Sequence, residues 1–80
     1  MTAGPWIKEG GLAPQWVRYC GSFLLCYVHI ANTSAHYRGQ LTAFQRRGCD
    51  DLTGAAKTCN AGLRLLGIDC DDSLPEGCHE

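Results

Sequence analysis

Six cysteines and three histidines are the residues of this 80-residue chain whose types could do chemistry. Cys20, Cys26, Cys49, Cys59, Cys70 and Cys78 are even in number and spread over most of the chain, which is how the cysteines of a disulfide framework are distributed. Cys26 and His29 are at i, i+3, a spacing that makes a thiolate and an imidazole neighbours on a helix, where zinc would accept both, and Cys78-His79 could add ligands. No Cys-x2-Cys pair is present to complete such a site. Ser22 and Ser34 lie near histidines, and any cysteine could take His29, His36 or His79 as its base. Catalysis of that kind needs an orienting carboxylate or a glycine-rich elbow, and neither accompanies them; a phosphate-binding glycine loop is absent too. The sequence therefore predicts a protein that is not an enzyme, with no catalytic residue, no cofactor and no bound metal.

Elements have to hold those cysteines, and a chain of 80 residues has room for one domain with a marginal core. Domains below about 70–80 residues usually add disulfides, a metal or a partner subunit. Residues 1–14 hold Gly4, Pro5, Gly10, Gly11 and Pro14, the composition of an irregular arm that Trp6 and Ile7 could anchor. Pro14 suits the first turn of a helix. From Trp16 onward, steps of about 100° per residue gather Tyr19, Cys20, Phe23, Leu24, Cys26, Tyr27, Val28, Ile30 and Ala31 on an apolar arc wider than half the circumference. Arg18, Ser22, His29 and Asn32 make the polar arc, and Leu25 falls inside it, to be covered by the arm or exposed.

Continued through Asn32-Thr33-Ser34, the same phase takes in Tyr37, Leu41 and Phe44. The expectation is either one helix over 15–47, about 50 Å long, or one broken at Asn32, whose neighbours offer capping hydroxyls. The unbroken form would outreach so small a globule and imply a homodimer or a partner along its far half. Gly48 ends the segment, and Asp50 is placed to cap a helix over 50–67 with Leu52, Ala55, Ala56, Cys59, Leu63 and Leu66 on one stripe and Gly67 as its stop. Residues 68–80 read as an acidic C-terminal loop. The expected fold is all-α: a small domain of two to three helices cross-linked by disulfides, with an irregular N-terminal arm and with Tyr19, Phe23 and Tyr27 in its core.

On such helices the geometry restricts pairing, because bridged cysteines have Cα atoms about 4.4–6.8 Å apart. Cys20 and Cys26 would be about 9 Å apart on one helix, and Cys49 and Cys59 about 13–15 Å. Each must reach another segment, which suggests Cys20 with Cys59, Cys26 with Cys49 and Cys70 with Cys78. The nine-residue spacing of Cys49 and Cys59 resembles half of the motif of the coiled-coil-helix-coiled-coil-helix proteins of the mitochondrial intermembrane space. That motif needs a second such pair, whereas Cys70 and Cys78 have seven residues between them. Asp69, Asp71 and Asp72 resemble the opening of a calcium loop but lack the glycine and later glutamate of an EF-hand.

Charge is distributed unevenly around a net value of −1: residues 1–68 are formally +4 and residues 69–80 are −5. The acidic end is expected to be solvated or to fold back toward Arg38, Arg46 and Arg47. So small a net charge argues against non-specific nucleic-acid binding. No apolar run reaches the roughly 20 residues of a membrane span. Asn32-Thr33-Ser34 matches a glycosylation sequon but within a helix reads as a cap. These features together predict a small, disulfide-stabilised, secreted or periplasmic protein that acts by binding a protein partner, in the manner of a toxin, inhibitor, immunity protein or signalling ligand. No secretory leader is seen in residues 1–14, so export would require one removed from this sequence. Leu25, Phe44, Arg46 and Arg47 are the candidate partner-binding residues. The alternatives are an intracellular regulator or inhibitor of phage or plasmid type with reduced cysteines in a cytoplasm, and a small zinc-stabilised module.

Overall fold

Strand formers dominate the first half of the chain: Trp16, Val17, Tyr19, Phe23, Tyr27, Val28 and Ile30 are β-branched or aromatic. Gly21-Ser22, Asn32-Thr33 and Arg38-Gly39 punctuate them at hairpin spacing. The computed structural model describes residues 1–38, 40–42 and 49–76, and of residues 49 and 50 the backbone alone. In it, five strands precede one helix: β1 (Ile7–Glu9), β2 (Gln15–Cys20), β3 (Phe23–His29), β4 (Ser34–Tyr37), β5 (Gln40–Thr42) and α1 (Cys49–Leu65). The strands form one antiparallel meander in the order β1-β2-β3-β4-β5.

This corrects the all-α expectation. The segment 15–47 is not a long or broken helix where it is described; it carries β2 to β5. A helix of about 50 Å could not fit a molecule whose longest dimension is 31 Å, and the homodimer such a helix implied loses its basis. The apolar arc was wide because it merged two faces of a sheet. Cys26 and Val28 are buried on one face, and Tyr27 and His29, partly exposed, alternate with them on the other.

Register follows from the turns. Cys20 pairs with Phe23, leaving two residues to reverse the chain, and Gly21 supplies the positive φ of 62° that such a tight connection requires. Arg18 pairs with Cys26 but Tyr19 pairs with Leu24, so Leu25 is the extra residue of a β-bulge. The bulge turns Leu25 inward, and it is only 1 % exposed.

One face of the sheet packs on α1. Trp16, Leu25, Cys26, Val28 and Ala35 from the sheet meet Leu52, Ala55, Cys59 and Leu63 from the helix, with Ala3, Ile68 and Cys70 completing the core. Small residues let the two layers approach: a Cβ on Gly62 would overlap the ring of Tyr37. The helix closes with a Schellman motif, in which Ile68 N donates to Leu63 O at 3.0 Å and Gly67 N to Arg64 O at 3.0 Å. Gly67 is its left-handed residue, at φ 84°.

A buried arginine ties both termini to this frame. Arg18 is 0 % exposed. Its Nε donates to Gly4 O at 2.7 Å, Nη1 to Asn60 Oδ1 at 2.7 Å and to Cys70 Sγ at 3.2 Å, and Nη2 to Asp71 Oδ1 at 2.8 Å. The guanidinium also lies 5.4 Å from the centre of the Trp6 ring, and the Trp6 indole donates to Ser73 O at 2.8 Å. The arm over 1–14 is thus partly a strand and otherwise clamped: Ala3 N donates to Asp69 O at 2.8 Å and Asp69 N to Met1 O at 3.0 Å. In the described part of the acidic end, Asp71 turns to Arg18 and Asp72 to Arg64, at 2.7 Å.

The cysteines differ from the expected framework. Cys20, Cys26, Cys59 and Cys70 are free thiols, so among the described residues no disulfide staples the fold, and one helix against five strands does not make it helical. Cys20 and Cys59 are not joined. Instead the Cys59 thiol points to Tyr27 O at 3.8 Å and His36 O at 3.9 Å, and its closeness to Cys26, together with burial, pushes the Cys26 thiol far above its ordinary pKa. Cys49 is described by its backbone only and Cys78 lies outside the described residues, so the pairings of Cys26 with Cys49 and Cys70 with Cys78 fall there too.

Candidate partner-binding face

Among the described residues, the second face of the sheet carries no helix. Since Cys26, Val28, Ala35 and Tyr37 are paired across β3 and β4 on the helix side, alternation puts Tyr27, His29, Ser34 and His36 on the open side. Leu41, the partner of His36 in β5, joins them. Three rings meet there. Tyr27 and His36 stack with centroids 4.4 Å apart and planes at 6°, while His29 stands edge-on to both, at 5.3 Å from Tyr27 and 5.1 Å from His36. Burial, and then the neighbouring His29, hold the pKa of His36 below its ordinary value.

Ser34 is hydrogen-bonded to His36, with Oγ 3.1 Å from Nε2. Its hydroxyl proton is directed to Asn32 Oδ1 at 2.8 Å. A hydroxyl has one proton to give, so His36 Nε2 is the donor in its contact with Ser34. Arranged this way the histidine does not act as a base toward the serine, and the pair orders the ring stack instead of generating a nucleophile.

Beside the stack lies a hollow of about 280 Å³ lined by Leu24, Leu25, Tyr27, His36, Arg38, Gln40 and Leu41, with Cys26 and Tyr37. Its apolar rim is open to solvent: Leu24 is 42 % and Leu41 64 % exposed. Among the described residues no acid lines it. Arg38 sits at the hairpin between β4 and β5, where the Tyr37–Gln40 pair leaves two residues for the turn. It adopts φ 47°, a left-handed conformation that costs a residue with a Cβ about 1–2 kcal/mol and that Asn, Asp or Gly would take more cheaply.

The other hollows are less open to a ligand. One of about 370 Å³ is lined by Lys57, Asn60, Arg64 and Asp72, but Asn60 serves Arg18 and Ser73, and Arg64 serves Cys70 and Asp72. Among the described residues no group of three or more His, Cys, Asp or Glu side chains is placed to hold a metal ion. The zinc arrangement proposed for Cys26 and His29 presumed a helix; in a strand, residues three apart face opposite sides. The would-be calcium ligands Asp71 and Asp72 are each paired with an arginine.

No protein-family model, curated protein or solved structure matches the chain. No helix among the described residues is long and apolar enough to cross a membrane.

Of the four residues expected to meet a partner, Leu25 is in the core with its side chain touching the hollow's floor, and Phe44, Arg46 and Arg47 lie outside the described residues. Of the residues that meet around the hollow, the helical wheel had put Tyr27 and Leu41 on its apolar arc and His29 on its polar arc, and had joined neither His36 nor Arg38 to them. The available signal was the Arg38-Gly39 pair between two short runs of alternating character, Ser34 to Tyr37 and Gln40 to Thr42.

Proposed function

We propose that the chain is a non-enzymatic binding protein that receives an extended segment of a protein partner on the open face of its sheet. The observation that carries this reading is the side-by-side placement of exposed Leu24 and Leu41 with the Tyr27–His36 stack around the 280 Å³ hollow. An apolar rim with an aromatic wall and a few polar groups is the composition of a site for alternate side chains of an extended peptide. The Ser34–His36 contact, with the proton pointed away from the histidine, supports binding over catalysis.

Export was argued from a disulfide framework, and four free thiols leave it without that support; the binding reading does not depend on the compartment. Random octapeptides displayed to the full chain test it. Selected peptides should bind wild type and lose at least tenfold in affinity to Leu41→Asp, on the open face, while binding Lys57→Gln, on the exposed side of α1, unchanged. Equal loss in both variants, or no selection at all, would discard the open face.

A further inference from the structure

Arg38 decides which segment the face accepts. The geometry points to a partner segment in which a carboxylate side chain, seated on the Arg38 guanidinium, adjoins an apolar side chain that fills the hollow between Leu24, Tyr27 and Leu41. This rests on the open face being the binding surface and adds the chemistry of its occupant.

Charge complementarity carries the assignment. Among the described residues the hollow is lined by Arg38 and His36 and by no acid, with His29 adjoining through the ring cluster. Of the described acids, Asp71 is paired with Arg18 and Asp72 with Arg64, while Glu9 accepts from Tyr19 at 2.9 Å. Among the described residues Arg38 has no hydrogen bond or ion pair, in contrast to Arg18 and Arg64. Its guanidinium is presented on a turn that favours other residue types, a local choice against conformational preference of the kind found at functional positions. A planar fork of donors on the lining of a hollow that Leu24, Tyr27 and Leu41 also line matches a carboxylate flanked by aliphatic or aromatic carbon.

A single-stranded nucleic acid would also meet cation and aromatic groups, but its bases need free ring faces. Tyr27 and His36 occupy one face of each other, and the chain's net charge is −1. A peptide carboxylate is therefore favoured over a phosphate backbone.

The test uses the full chain and the Arg38→Asn variant, because Asn accepts the left-handed turn and the variant should unfold at higher urea than wild type. Octapeptides selected on wild type should carry Asp or Glu beside a branched aliphatic or aromatic residue. Measured singly by fluorescence anisotropy, they should lose about tenfold in affinity to Arg38→Asn, and the wild-type affinity should weaken as salt is raised. Peptides without acidic preference that bind Arg38→Asn as tightly would overturn the carboxylate assignment and leave the face standing. Failure to select any peptide would remove both, and so would preferential binding of a labelled ten-residue oligothymidylate.

Discussion

Arg18, on the helix side of the sheet, and Arg38, at the β4–β5 turn, show two ways of spending a guanidinium. Arg18 is fully buried, and its donors meet Gly4, Asn60, Cys70 and Asp71 from three parts of the chain. Arg38 is exposed at a hairpin, in a conformation that suits it poorly, and among the described residues it has no partner. The first arrangement satisfies every group it touches and so reads as structure. The second leaves a guanidinium without a partner among the described residues on the lining of a hollow, which is how a binding group is kept ready. The helix side of the sheet thus accounts for stability, and the open side is where function is to be sought.

The sharpest break in this contrast is Arg18→Met. It fills similar volume but leaves Asn60 Oδ1 and Gly4 O without their donor and frees Asp71, at a cost of about 3–5 kcal/mol. Urea denaturation should show a variant at the edge of folding. A loss below 1 kcal/mol would mean that the Arg18 network contributes little, and the division between the two sides would fail. Gly62→Val probes the same side more gently. Its side chain would press on the Tyr37 ring, and overpacking of this kind costs about 1–3 kcal/mol. Trimming the ring in the double variant with Tyr37→Leu should recover part of that loss.

On the open side the sign reverses. Arg38→Asn should raise stability by about 1 kcal/mol, because Asn tolerates positive φ better. Coupled to the loss of peptide affinity expected above, a gain in stability would separate this arginine from the structural one. A loss in stability would show that Arg38 holds the hairpin instead.

The helix was legible because its signals were local and consistent. A helix was expected at 50–67, and the chain is helical over Cys49–Leu65, with Gly67 at positive φ beyond it. The sheet was misread because period two is broken in β3: Leu25, Cys26 and Val28 are all buried against the helix in a seven-residue strand, which reads as a broad apolar arc. The bulge at Leu25 shifts the alternation in mid-strand, and Arg18 placed a charge at a core position. Tyr19, Phe23 and Tyr27, chosen as core from the wheel, are instead partly or largely exposed, Phe23 at 52 %. The Arg18 network could not be read in advance, since its partners lie 14 to 53 residues away. The candidate site failed to appear for the same reason: Tyr27, His36 and Leu41 become neighbours only through strand register.

The two sides should also answer to acid in separate windows, with the smaller response coming first and from the open side. His36 has a folded-state pKa below its ordinary 6.5, so the unfolded chain binds its proton more readily. Its contribution is fully present above about pH 6.5 and is lost as pH falls through the lowered value. Protonation would also set its charge against His29, loosening the ring cluster. Asp71 is held down to about 2, first by hydrogen bonds from Ser73 and then by Arg18. Its contribution is present above about pH 4 and is lost as pH falls toward 2. A urea midpoint followed from pH 8 to pH 2 should therefore fall slightly below pH 6.5, hold, and fall again below pH 4. His36→Gln should erase the first step and keep the second, and Asp71→Asn the reverse. If either substitution removed both steps, the sheet would be transmitting protonation from one face to the other, and the two arginines would belong to one coupled system.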